Sequence, residues 1–186
     1  MSGPAAVAAL AGRRPDAPDA QEERFPLRNA GAVRARIADV LRDRGVGTLV
    51  CSAACGADLL ALDAAAELGL RRVVVLPFDA ERFRRSSVVD RPGDWGDAYD
   101  AVLADVRARG DLVVLSADGD GSPAAYQAAT HAILDRAVEL AGGDPSRVVA
   151  VLAWEGGSRG GGDHTAEFRD SARARGMAVN EIDTHE

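Results

Sequence analysis

Three segments hold residues whose types and spacing could do chemistry. The first is Gly12-Arg13-Arg14-Pro15-Asp16. Two arginines beside a glycine can clamp a phosphate through forked hydrogen bonds. The same residues would also make a solvated basic turn pairing with Asp16 and Asp19. The second is Cys51-Ser52-Ala53-Ala54-Cys55-Gly56-Ala57-Asp58. Its small side chains let the backbone approach a ligand, and the N–H groups of the helix start that follows suit an anion. Ser52 adds a hydroxyl. Asp58 could accept from a ribose hydroxyl or simply complement the helix dipole. The third runs from Trp154-Glu155-Gly156 to Glu167, with five glycines between residues 156 and 162. Such a loop, opening a helix, can wrap a phosphate with backbone donors, and Thr165 is placed to cap the helix or touch the ligand. Asp163, His164 and Glu167 are the acid–base cluster here, with Glu167 as candidate general base.

Other candidates carry less. Cys55 at a helix start has the position of a nucleophile with a depressed pKa, but no histidine is near it in sequence. Cys51 and Cys55 have no second cysteine pair, and His131, His164 and His185 are scattered, so no metal site is expected. Asp118-Gly119-Asp120-Gly121-Ser122 begins like a calcium loop but lacks the glutamate at the twelfth position. It reads as a turn that could line the same cleft. His131 reads as structural. Trp154 is either core or a stacking platform.

The elements that must position these segments follow from periodicity. Short apolar runs predict strands at Ala5–Ala11, Thr48–Ser52, Val73–Leu76, Leu112–Leu115, Val148–Trp154 and Met177–Ile182. The first is a weak strand, being mostly alanine. Helical spacing predicts helices over 27–43, 57–67, 95–108, 123–141 and 165–175, with Ser122-Pro123 as a capped start. Residues 79–93 read as a short helical turn and a polar loop. Apolar strands alternating with helices predict a doubly wound α/β domain: a parallel sheet of five to six strands with helices on both faces. Ligands bind such sheets beyond the carboxyl ends of the strands, where all three segments fall.

Composition narrows the function classes. A chain of 186 residues implies one domain, 1–186. The net charge of −7 argues against nucleic acid and anionic membrane as partners. All 22 basic residues are arginine, which excludes a lysine Schiff base and a lysine-bearing P-loop. No run reaches the ~18 apolar residues of a membrane span, and no signal peptide is seen. Two unpaired thiols fit a reduced, cytoplasmic protein.

Taken together, the motifs resemble one family. They are Gly12-Arg13-Arg14-x-Asp16, Arg24-Phe25-Pro26, Ser52 to Asp58, Leu76-Pro77-Phe78 with Glu81-Arg82-Phe83, Ser86-Ser87-Val88, and Trp154-Glu155-Gly156 before Gly161-Gly162-x-x-Thr165-Ala166. This combination resembles the SLOG superfamily, Rossmann-like domains related to the LONELY GUY phosphoribohydrolases and the Smf DNA-processing protein. It is most similar to the bacterial branch fused to signalling modules. The likeness spans Gly12 to about Ile182, and Ser52–Asp58 is its most specific piece. Arg13 stands where that branch usually has histidine.

The resemblance implies binding or sensing of a small nucleotide or NAD-derived ligand. By carry-over, the helix start at Gly56 and the loop from Gly161 through Thr165 would hold phosphate. Asp58 and Glu155 would face ribose or base, and Phe78–Val88 would form a flap. Gly12, Arg13, Arg14, Ser52, Ala53, Gly156, Gly162, Asp163 and His164 complete the implied ligand-binding set. The enzyme branch has Pro-Gly-Gly-x-Gly-Thr-x-x-Glu. Here Gly160 replaces the proline, His164 a glycine and Phe168 the final acid, with Glu167 one residue earlier. The alternative is therefore an N-glycosidic hydrolase of nucleotides with Glu167 assisting and Arg13, Arg14 or Arg159 fixing the phosphate. A third, Smf-like reading as a single-strand DNA binder conflicts with the net charge and the few aromatics. No cofactor is expected. The expected partners are a nucleotide-type ligand, a second copy of the chain paired through helices, and a signalling effector protein.

Overall fold

The computed structural model describes residues 5–185. The reading on a signal peptide falls partly on residues 1–4, outside the described residues. Six strands, β1 (Ala6–Gly12), β2 (Val46–Cys51), β3 (Arg71–Leu76), β4 (Leu112–Val114), β5 (Val148–Ala153) and β6 (Ala178–Ile182), form one sheet in the order β4-β3-β2-β1-β5-β6. Every neighbouring pair is parallel. The helices are α1 (Ala30–Asp43), α2 (Ala57–Glu67), α3 (Ala80–Ser87), α4 (Gly96–Ala108), α5 (Pro123–Leu140) and α6 (His164–Ala174). The fold is therefore the expected doubly wound, Rossmann-like α/β arrangement.

Each strand is apolar throughout because both of its faces are covered. Along β1, Ala8 and Leu10 join one core and Val7 and Ala9 the other; β5 divides likewise, with Val149 and Val151 against Val148 and Ala150. The first core takes in Val33, Ile37 and Leu41 of α1, one residue per helical turn, with apolar residues of α2, α3 and α4. The second takes in Ile133 and Leu134 of α5 and Phe168 and Ala172 of α6. The chain winds outward from β1 to β4 on one face, then returns through α5 on the other to place β5 beside β1. The reversal of strand order thus lies between β1 and β5.

The alanines that make β1 a weak strand by propensity suit its place at the sheet's centre, where neighbours on both sides fix its backbone. Its end is tighter still. A Cβ on Gly12 would come within 2.4 Å of Ala57 Cβ and 2.6 Å of the Ala153 carbonyl oxygen. Gly12 is needed so that β1, β5 and the start of α2 can converge. Most predicted elements match within two residues. Residues 79–93 differ, since Ala80–Ser87 is a full helix whose start is capped by Asp79. So do residues 27–29, which form a 3-10 turn before α1, closed by the Asn29 amide on the Pro26 carbonyl at 2.9 Å and the Ala30 amide on the Leu27 carbonyl. No helix among the described residues is long and apolar enough to cross a membrane.

Candidate functional site

A cleft of about 630 Å³ opens at the carboxyl end of the sheet, around the β1/β5 reversal. Its walls come from Leu10–Ala17, Ala20–Glu22 and Arg24, the turn after β2, Pro77 after β3, Phe83 and Ser87 of α3, Arg91, one side of α5 and the start of α6. All three segments singled out by sequence meet here. Gly12, Arg13, Arg14, Ser52, Asp58, His164 and Thr165 line the cleft. Ala53, Gly56, Phe78, Glu155, Gly156, Gly161, Gly162, Asp163 and Glu167 are not among its lining residues. Asp118–Ser122 is also outside it. Instead Arg82 donates to the carbonyls of Gly119 and Asp120.

Arg13 is 4% exposed, and its donors are spent inside the protein. Nε and Nη2 reach Glu155 at 2.8 and 2.9 Å; Nη1 and Nη2 reach Asp163 at 2.7 and 2.9 Å; Nη2 also reaches the Gly157 carbonyl at 2.7 Å. Arg24 adds a second cation on Glu155. Arg13 and Arg169 both lie over the Trp154 ring, at 5.5 and 5.0 Å from its centroid. Trp154 is buried and donates Nε1–H to Glu181 at 2.9 Å. It is core, with its ring already covered by guanidinium groups.

The helix starts expected to hold phosphate are largely satisfied from within. At α2, the Ala54 amide donates to Asp58, that of Cys55 to the Ser87 carbonyl and that of Ala57 to the Arg13 carbonyl. Gly56 has φ +88°, and a Cβ there would meet the Arg13 carbonyl oxygen at 2.7 Å, so its glycine serves close packing. At α6, Asp163 is the cap. Its carboxylate accepts from the amides of Arg159, Thr165 and Ala166 at 2.8, 3.1 and 3.3 Å. Burial pushes this carboxyl up, but Arg13 and the amides outweigh it and hold it well below the usual carboxylate range. Asp163 thus takes up amides of the segment that the resemblance assigned to phosphate.

Glu167 accepts from Gln127 Nε2 at 2.7 Å and lies 3.5 Å from His131 Nε2 and 3.8 Å from His164 Nδ1. It belongs to a polar contact between α5 and α6 rather than to the cleft lining. Cys55 is 1% exposed, and burial raises its thiol to about 12. The nucleophile reading of Cys55 is thereby overturned, because desolvation outweighs the neighbouring Arg14. Phe78 is buried against Phe83 and Tyr126. Among the described residues no group of three His, Cys, Asp or Glu could hold a metal ion.

What the cleft does present is a set of buried polar atoms without hydrogen bonds. Ser52 Oγ, Arg91 Nε and His164 Nδ1 are buried atoms without a hydrogen bond, and all three residues line the cleft. Asp58 is buried, and desolvation lifts its carboxyl to about 7 against the opposing Ala54 amide and Arg14. Arg159 is held below the ordinary guanidinium value by burial and then by Arg13. One wall is aromatic: Tyr126 stacks on His164 at 5.7 Å, takes Phe78 edge-on at 5.6 Å, and its hydroxyl meets Ser87 Oγ at 3.0 Å.

Tyr126, Thr130 and Arg91 were missed from sequence. Tyr126 lies in the first turn of α5, the helix that follows the loop after β4, and the strand-end rule could have reached it. Arg91 sits in a polar loop with no motif around it, and only the fold brings it to the cleft. No protein-family model matches the chain, and no curated protein matches it significantly.

Proposed function

We propose that this chain is a SLOG-like binding domain whose cleft holds a small, phosphorylated, nucleotide-type or NAD-derived ligand and leaves it intact. The observation that carries this reading is the concentration of Ser52 Oγ, Arg91 Nε and His164 Nδ1, buried and unbonded, on residues lining one cleft. Each such group costs roughly 1–3 kcal/mol when left unmet, and a bound ligand would supply the missing partners. Five arginines, at 13, 14, 24, 91 and 159, line the same cleft, and Arg91 has no acid partner among the described residues, which favours an anionic ligand. The apolar and aromatic surface of Phe83, Ile133 and Tyr126 suits a planar ring.

The hydrolase alternative has less support. Its candidate base, Glu167, does not line the cleft and is engaged by Gln127. The test is mass spectrometry of small molecules released from the purified protein, with incubation of the protein with AMP, ADP-ribose and NAD. Recovery of an intact nucleotide without turnover is expected. Free base and ribose phosphate, formed at a rate lost in Glu167→Gln, would establish the hydrolase instead.

A further inference from the structure

The five cleft arginines are not equivalent. Arg13 is held by Glu155 and Asp163, Arg24 by Glu22 and Glu155, and Arg14 by both oxygens of Asp90 at 2.9 and 2.7 Å. Among the described residues Arg159 has only Asp163 as an ion-pair partner, at 3.8 Å. Arg91 has no hydrogen bond or ion pair to any described residue, and its Nε is buried without a partner. An acid stands beside every other cleft arginine.

Arg91 is nonetheless held in place by its neighbours. Before it, Asp90 is tied to Arg14, whose Nη1 also reaches the Ser86 carbonyl at 3.3 Å. After it, the Pro92 carbonyl accepts from Trp95 Nε1 at 2.8 Å, and Trp95 is buried. Gly93, at φ +112°, makes that closure feasible, since a Cβ would meet Trp95 Nε1 at 2.3 Å. Val88 is fully buried, and the Ser87 carbonyl accepts from the Cys55 amide. The loop is thus pinned against the turn that carries Ser52, and the charges of Arg14, Asp90 and Arg91 all act on the Cys55 thiol there.

Resting on the function proposed above, we infer that Arg91 is the side chain that takes the ligand's phosphoryl group. A guanidinium offers two parallel donors to phosphoryl oxygens. At Arg91 those donors meet no competing carboxylate. The amides at the starts of α2 and α6 instead serve Asp58, Ser87, Arg13 and Asp163. The anion is therefore read by a side chain from the loop after α3, not by the two helix starts.

The experiment is calorimetric titration of the full chain with AMP, ADP-ribose and adenosine, for the wild type, Arg91→Gln and Arg91→Lys. Losing one charged hydrogen-bonding partner should weaken the two phosphorylated ligands roughly 10- to 100-fold in Arg91→Gln. Arg91→Lys, a point charge without the fork, should fall between. Adenosine affinity and the thermal midpoint of the unliganded protein should not move. If Arg91→Gln and Arg91→Lys bind both phosphorylated ligands as tightly as the wild type, the role of Arg91 is overturned while the function stands. An equal loss for adenosine likewise overturns it. If the wild type binds none of the three, the proposed function itself fails.

Discussion

Asp163 and Arg13, 150 residues apart in sequence, meet as a two-point fork, Oδ1 to Nη1 at 2.7 Å and Oδ2 to Nη2 at 2.9 Å. The same carboxylate caps α6 through the amides of Thr165 and Ala166. The end of β1, the glycine loop and the start of α6 are therefore one electrostatic unit, and Arg13 is a strut within it. The conformation of the glycine loop depends on this pairing at both ends, because Arg13 also holds the Gly157 carbonyl.

Arg13→Ala should be strongly destabilising. It leaves Glu155 and Asp163 buried without their main cation, and breaking a buried pair by removing one partner typically costs about 3–5 kcal/mol. Urea unfolding at pH 7 would show a lower midpoint at unchanged slope. Asp163 also makes stability acid-sensitive. Its carboxyl lies below its unfolded value of 3.8, so the stabilisation is present above that value and is lost as pH falls beneath it. Asp163→Asn should flatten the loss of stability below pH 4, measured by the same unfolding series.

Asp58 acts with the opposite sign. Its folded carboxyl titrates at about 7 against 3.8 unfolded. The protonated form is favoured in the native state, so stability from this group is complete below pH 4 and declines as pH rises to 7, by about 1.4 kcal/mol per unit at most. Asp58→Asn should therefore gain on the wild type between pH 4 and pH 7 and hold a constant lead above it. A difference that does not change with pH would show that burial is not governing this carboxyl.

Both thiols should be inert in the native protein. Cys51 is fully buried with its thiol raised well above the ordinary value, and burial raises Cys55 to about 12. Reaction with a thiol reagent at pH 7.5 should be negligible without denaturant and involve two thiols per chain with it. Fast labelling of Cys55 in the native state would contradict its placement.

The architecture was legible because it rests on a pattern visible in one dimension. Val73–Leu76 and Val148–Ala153 are apolar throughout only because two helical layers cover them, and Gly12 and Gly56 mark turns where backbones converge. The candidate site was legible as a place, since the loops after β1, β2 and β5 do meet. Its division of labour was not. Sequence shows that arginines, acids and glycines lie in these loops, but not which arginine meets which acid. Arg13 looked like a phosphate clamp and is occupied by Glu155 and Asp163. Arg91 looked like ordinary loop polarity and carries the unmatched donors. That information lives in contacts across more than a hundred residues, which no local spacing encodes.

The most direct test of the account is equilibrium binding of AMP, ADP-ribose and NAD to the purified full chain, with chromatography of the same samples after equilibration. The account predicts saturable binding of at least one of them, weakened by added salt as arginine–phosphate contacts require, with the nucleotide recovered unchanged. No binding by any of the three, or their conversion to free base during the titration, would contradict it.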